Sequence, residues 1–314
     1  MDGFPVKASS LWKISLLVGL NFAVQPLSTT IYNIYMTTLT FTILLFGGSV
    51  LAGLLGSLTG LGGGVIIIPL LTYLGVDFHY AIGTGLVAVI ATSSGSAAAY
   101  VKEGVTNLRM GMFLEIATTI GAVLGALLVA SQLIPTTIVA IIFGVILILS
   151  AVNSLRKQPL IAARVCSKMG QKFKLGGTYP TADGSIVKYG VKNVVGGFFM
   201  MMFAGVISGL LGIGAGAMKV IAMDNIMRVP FKVSTTTSNF MIGVTATAGA
   251  FIYLQNGYIQ PALCMPVMIG VLLGAIGGSK ILLQTNTAKL RFGFSIFILI
   301  VALDMIYKGL SGQI

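Results

Sequence analysis

The chain has 314 residues, 56% of them hydrophobic and only 8% charged, and 19 Lys and Arg against 7 Asp and Glu give a net charge of +12. Soluble domains carry about a quarter charged residues, so a water-soluble globule is excluded, and a mean hydropathy of +1.00 indicates an integral membrane protein. The apolar runs are continuous and lack the alternation of outer-membrane strands, which favours helices over a barrel.

The segment 1–35 resembles a signal peptide in outline, with Lys7 and Lys13 around a short apolar stretch. No small-x-small cleavage site follows, and Trp12-Lys13 reads as an interfacial anchor. It is expected to be an uncleaved extra span or a surface helix. Apolar runs then fall near 36–59, 65–76, 80–101, 110–131 and 136–153, and again near 194–211, 217–228, 233–255, 262–283 and 288–308. In each set the second run is short. Twelve helical residues reach about 18 Å, against a hydrocarbon core of about 30 Å. The expected fold is an all-α polytopic membrane protein. It has two repeats, 36–155 and 194–314, each a broken re-entrant-type hairpin followed by three spans.

Between them lies the basic linker 156–193, which holds eight of the 19 Lys and Arg. That cluster is a topology signal rather than a nucleic-acid surface. Asp183-Gly184 sits between strand-like runs, a hairpin signal, so a small cytoplasmic β-hairpin is expected there.

The halves overlay residue by residue. Gly60, Gly62 and Gly64 fall on Gly212, Gly214 and Gly216 at an offset of 152. One inserted residue raises the offset to 153. Val76 then meets Val229, Phe78 meets Phe231, Thr84 meets Thr237, Tyr100 meets Tyr253 and Gly104 meets Gly257. With the linker in the cytoplasm, and with 194–228 taken as a hairpin that returns to its own side, Lys102 and Arg109, Arg228 and Lys232, and Lys280, Lys289 and Arg291 all fall inside. Only Lys308 falls outside. Equivalent loops then lie on opposite sides, so the repeats have inverted topology, and their glycine-broken short segments point to a transport site.

The breaks strip backbone partners, which lipid tolerates only inside the bundle or along a polar cavity. Val65 and Ala217 are expected to begin short helices whose first N–H groups carry partial positive charge. Gly62, Gly63, Gly64, Gly214 and Gly216 would let an oxyanion approach bare backbone. Close helix packing is the plainer role for such glycines, but their duplication before half-length helices favours the site. Lys219 lies in the second short helix, where a lysine costs about 2.5–3.5 kcal/mol on insertion scales. It is expected to meet the anion, with a structural ion pair or snorkelling as alternatives. Arg228 is expected to pair with Asp224, four residues earlier. Thr84, Thr237, Ser238 and Asn239 are the expected side-chain donors, although Ser and Thr in membrane helices commonly bond their own helix. Glu115 and Asp304 lie within spans and are candidate proton carriers. His79 reads as an interfacial residue. Cys166 and Cys264 make neither a disulfide scaffold nor a metal motif. No metal, cofactor or catalytic residue is expected: Ser208 in "GVISGL" has no histidine in any span to act as its base.

The stretches "GLLGSLTGLGGGVIIIPLL" at 53–71 and "GLLGIGAGAMKVIAMDNIMRVPFKVSTTTSNFMIGVTA" at 209–246, with Asn256-Gly257 and Gly104, resemble the sulfite exporter TauE/SafE family, also called the 4-toluene sulfonate uptake permease family. The resemblance covers about 36–310 and implies two homologous halves that move sulfite, sulfonates or related organic anions. Ala215 stands where that family often has a glycine. The expected function is a secondary transporter of a small sulfur-containing anion in the cell membrane, exporting by alternating access. Proton-coupled uptake and a passive anion channel are the alternatives. The expected partners are the anion and the lipid bilayer, with a homodimer as an option and no nucleic acid.

Overall fold

The structure is a computed structural model that describes residues 38–60, 62–131, 135–155, 166–180, 185–284 and 288–311. The N-terminal segment 1–35 and the Asp183-Gly184 turn therefore lie outside the described residues. The first half contains α1 (Thr38–Thr59), α2 (Gly64–Tyr73), α3 (Phe78–Lys102), α4 (Leu108–Ala130) and α5 (Thr136–Leu155). The linker forms a short helix α6 (Lys168–Lys172) and strands β1 (Gly177–Pro180) and β2 (Ile186–Tyr189). The second half contains α7 (Val194–Leu211), α8 (Gly216–Ile221), a π-helical turn (Ala222–Ile226), α9 (Phe231–Gln255), α10 (Pro261–Gln284) and α11 (Ala288–Leu310). Among the described residues, α1, α3, α4, α7 and α10 are long and apolar enough to cross a membrane.

Lipid gives helices no hydrophobic reason to associate, so they rely on close van der Waals fit through small residues. That fit is visible where α1 packs on α10 and α7 packs on α4. A Cβ on Gly53 would lie 2.0 Å from the Val271 carbonyl oxygen, and one on Gly205 would lie 2.2 Å from that of Thr118. These are matching positions in the two halves. The other pairings exchange in the same way: α10 packs on α3 as α4 packs on α9, and α5 packs on α11. At the centre α3 and α9 cross antiparallel, with Leu86 against Gly249 and the Ser93 hydroxyl donating to the Asn239 carbonyl.

Both short segments begin one residue earlier than expected, at Gly64 and Gly216 rather than Val65 and Ala217. The second is not a single short α-helix. It gives six α-helical residues and then the π turn, which takes up the extra residue that the change of offset had implied. The turn also removes the expected Arg228–Asp224 pair. Arg228 has a left-handed backbone at φ 55° and an exposed side chain, and the Asp224 Oδ2 is buried without a partner. Spacing of four aligns two side chains only on a regular α-helix.

In the linker, β1 and β2 pair antiparallel from Gly177↔Tyr189 to Pro180↔Ile186. The hairpin is tied to the bundle through Asn107, the N-cap of α4. Its side-chain amide donates to the Leu175 carbonyl and the Tyr189 hydroxyl, each at 2.8 Å. The Lys192 N–H donates to the Met227 carbonyl at the end of the π turn.

Candidate functional site

The polypeptide reverses out of α1 and α7 through glycines with positive φ: Gly60 (74°) and Gly62 (82°), and Gly212 (68°) and Gly214 (73°). Residues with a Cβ avoid this conformation. Each helix is left with unpaired carbonyls at its broken end. Two tyrosines satisfy one apiece: the buried Tyr100 hydroxyl donates to the Ser57 carbonyl at 3.1 Å, and that of Tyr253 to the Gly209 carbonyl at 3.4 Å. Both tyrosines appear in the sequence overlay, but only the fold shows what they hold.

The two breaks touch. A Cβ on Gly64 would lie 2.7 Å from the Gly212 carbonyl oxygen, and Gly62 and Gly214 both rest against Val89 and Ile242. Those two side chains occupy matching positions on α3 and α9, so the contact between the breaks is apolar at its centre. Polar character lies to one side. Beside Gly60 stand Thr235 and Asn239, with Asn239 Nδ2 3.7 Å from where a Gly60 Cβ would be. The Asn239 side chain is fully buried, and neither its Nδ2 nor its Oδ1 has a partner; the buried Thr235 Oγ1 has none either. A buried amide without hydrogen bonds costs about 1–3 kcal/mol. The second break has no such pair, because the matching positions on α3 are Ile82 and Leu86, and Ile82 lies against Gly212.

At the N-terminus of α2, Ile66 and Ile67 donate to the Gly63 carbonyl and the Gly63 N–H donates to Thr92 Oγ1 at 3.1 Å. The N–H groups of Gly64 and Val65 have no partner within the helix. Ser238 is engaged differently, its hydroxyl donating to the Gly216 carbonyl at 3.1 Å. Thr84 and Thr237 do not converge. Thr84 accepts a long contact from the Cys264 thiol, whereas Thr237 accepts from the Asn107 N–H at 3.0 Å. Each precedes the α3–α9 crossing on its own helix, and the helices are antiparallel, so the two lie on opposite sides of it.

Lys219 is fully buried and lies three residues into α8. Its ammonium donates to Thr245 Oγ1 at 2.5 Å, and the Thr245 hydroxyl donates to Glu115 Oε1 at 2.5 Å. The Thr119 hydroxyl donates to the same carboxylate oxygen at 3.3 Å, and Glu115 Oε2 is buried without a partner. Sequence reasoning missed Thr245. It falls opposite Thr92 at the offset of 153, and each of the two accepts a hydrogen bond from a residue that follows a break. Asp304, the other candidate proton carrier, is half-exposed and ion-paired to Lys308 at 3.1 Å. His79 stacks on Tyr258 at 5.0 Å. Among the described residues no cluster of His, Cys, Asp and Glu could hold a metal ion.

A family model described as Sulfite exporter TauE/SafE matches residues 45–305. The chain belongs to that family. The TauE/SafE match runs from within α1 to within α11, so it contains both breaks, the Thr235–Asn239 pair and the Lys219–Thr245–Glu115 chain. YunE of Bacillus subtilis, named a probable membrane transporter protein, is 28% identical over 87% of this chain and 99% of its own length. YdhB of the same organism, named likewise, is 26% identical over 73% of this chain and 86% of its own. MJ0441 of Methanocaldococcus jannaschii, also named a probable membrane transporter protein, is 24% identical over 82% of this chain and 92% of its own. No solved structure matches. The chain is thus a multi-pass membrane transporter.

Proposed function

We propose that this transporter carries a small sulfur-containing anion, sulfite or a sulfonate, across the cell membrane by alternating access. The anion would lie against the first break, held by the Gly62–Gly64 backbone, the N-terminus of α2, Thr235 and Asn239. The observation that carries this reading is the Asn239 side chain, fully buried beside bare glycine backbone with both polar atoms unmet. A tetrahedral oxyanion accepts from the amide, the threonine hydroxyl and backbone N–H groups together. It is also favoured at a helix N-terminus.

Alternating access here rests on two halves of inverted topology. The exchangeable helix pairings and the matched Tyr100–Ser57 and Tyr253–Gly209 hydrogen bonds support a twofold relation between them. The positive-inside rule supports a cytoplasmic linker. Export is the direction that an inside-negative potential favours, by about 2.3 kcal/mol per negative charge at 100 mV. Proton-coupled uptake is the second reading, favoured by the buried carboxylate chain at Glu115.

The test is a thermal-shift screen of sulfite, thiosulfate, sulfoacetate and chloride on the wild type and Asn239→Leu. The leucine copies Leu86 at the matching position. Without ligand the variant should melt at or above the wild-type temperature, because an unmet amide is removed. It should lose the shift that sulfite or sulfoacetate gives the wild type. A variant that keeps the full shift would sink the assignment. Counterflow of labelled anion in proteoliposomes separates a carrier from a channel.

A further inference from the structure

Glu115 and Lys219 lie in separate halves of the chain, and Thr245 is the atom-scale link between them. Both charges are buried in an apolar bundle, where each alone is costly. The hydrogen bonds run in one direction: the Lys219 ammonium donates to Thr245 Oγ1, and the Thr245 hydroxyl donates to Glu115 Oε1. With both groups ionised the chain is neutral, and it ties α8, the helix that follows the second break, to α4 and α9. One atom is left over: Glu115 Oε2 is buried with no partner. Thr119, which donates to Glu115, also borders an open, mostly apolar cavity of about 590 Å³ between α3 and α9, lined by Ile90, Ser93, Ser94, Val244 and Thr247 among others.

We propose that Glu115, Thr245 and Lys219 form a proton-operated latch on the broken helix α8, loaded from the α3–α9 cavity past Thr119. A hydronium ion reaching the cavity gives its proton to Oε2 and leaves as water, which turns the carboxylate into a carboxylic acid. Lys219 then keeps its hydroxyl acceptor but loses its counter-charge. An anion at the first break, which touches the second, supplies the missing charge, so one proton and one anion load together and α8 is free to move. Lys219 is the charged group facing Glu115. Of the elements packed on α4, α7 contains no ionisable residue. On α9, Lys232 reaches back to the Pro180 carbonyl and Tyr253 is held on Gly209. Tyr189 of the linker meets α4 at its far end, on Asn107. Asp224 sits in the π turn beyond α8, and Arg109 on α4 itself is exposed.

The inference rests on the second, proton-coupled reading of the transporter, and two measurements keep their failures apart. The first needs no substrate. Infrared titration of the purified full chain between about pH 5 and 9 should show a carboxylic-acid band that Glu115→Gln removes. A wild type with no such band, or a band unchanged in the variant, overturns the latch. The second uses radiolabelled methanesulfonate, whose charge is constant over this range, in proteoliposomes. The wild type should accumulate it under an inward proton gradient. Glu115→Gln, which resembles the protonated acid, should lose gradient-driven accumulation and keep counterflow. Equal accumulation by variant and wild type overturns the latch. Should Glu115→Gln fail to purify as a single species, Glu115→Gln combined with Lys219→Met replaces it in the infrared titration, and Thr119→Val replaces it in the flux assay. It should slow proton entry, and gradient-driven rates equal to wild type count against the route. Absence of wild-type counterflow with any sulfonate or sulfite would remove the anion reading, while the infrared titration still decides the latch.

Discussion

The helices that follow the two breaks start at matched glycines, Gly64 and Gly216, and each runs out at a left-handed residue, yet they differ in between. α2 is a ten-residue, mainly apolar helix with Pro69 inside and runs out at Gly75, φ 84°. α8 is six residues, continues as the π turn, and runs out at Arg228, φ 55°. The closing hydrogen bond of the first is Val76 N–H to the Leu71 carbonyl; that of the second is Val229 N–H to the Met223 carbonyl, one residue wider. An extra residue in an α-helix would turn everything after it by about 100°. A π turn takes it up locally, so Phe231 onward stays in register with Phe78 onward. The chemistry also divides. Where α2 buries Ile67, α8 buries Lys219. Where α3 offers Ile82 and Leu86 to the second break, α9 offers Thr235 and Asn239 to the first. One backbone plan is used twice, and the second half supplies most of the polar side chains.

The sharpest way to break this comparison is to exchange its charged member. Lys219→Met should cost about 3–5 kcal/mol, since Glu115 loses its counter-charge in a buried site. Ile67→Val at the matching position should cost only about 0.5–1.5 kcal/mol. Thermal unfolding in detergent measures both. Adding Glu115→Gln to Lys219→Met should recover most of the loss, and a single Lys219→Met variant as stable as wild type would show that the two groups do not act as a pair. Next in size is deletion of Asn225, exposed within the π turn. It should convert that turn to α-helix for about 1 kcal/mol and leave a monodisperse protein. Deletion of Ile68 from α2 should abolish folding, because no wide turn is there to absorb it. Equal outcomes on size exclusion would mean that the π turn does not act as the absorber. The smallest effect concerns strain. Ala215 holds φ 45°, where its counterpart Gly63 has −67°. Ala215→Gly should raise stability by up to about 1 kcal/mol, the left-handed penalty less the entropy of an added glycine. A lowered melting temperature would contradict that strain.

The membrane class, the two glycine clusters, the half-length segments and the inserted residue were all legible from composition and offsets. So was the polar run on α9. Arg228–Asp224 was misread because helical spacing was assumed across a turn that is not α-helical. Thr84 and Thr237 match in sequence, yet antiparallel crossing carries matched residues to opposite sides. Thr235 and Thr245 were hidden among hydroxyls that mostly bond their own helix, as Thr236 does to the Lys232 carbonyl.

By itself the amino-acid sequence determined that this chain lives in lipid and breaks its helices at two equivalent places, because composition and backbone conformation act locally. Only the tertiary structure decided which break has polar neighbours and what Lys219 holds. Those partners come from residues more than a hundred positions away in some cases, and a buried charge or amide is satisfied by whatever the packing brings within about 3 Å, not by what precedes it in the chain.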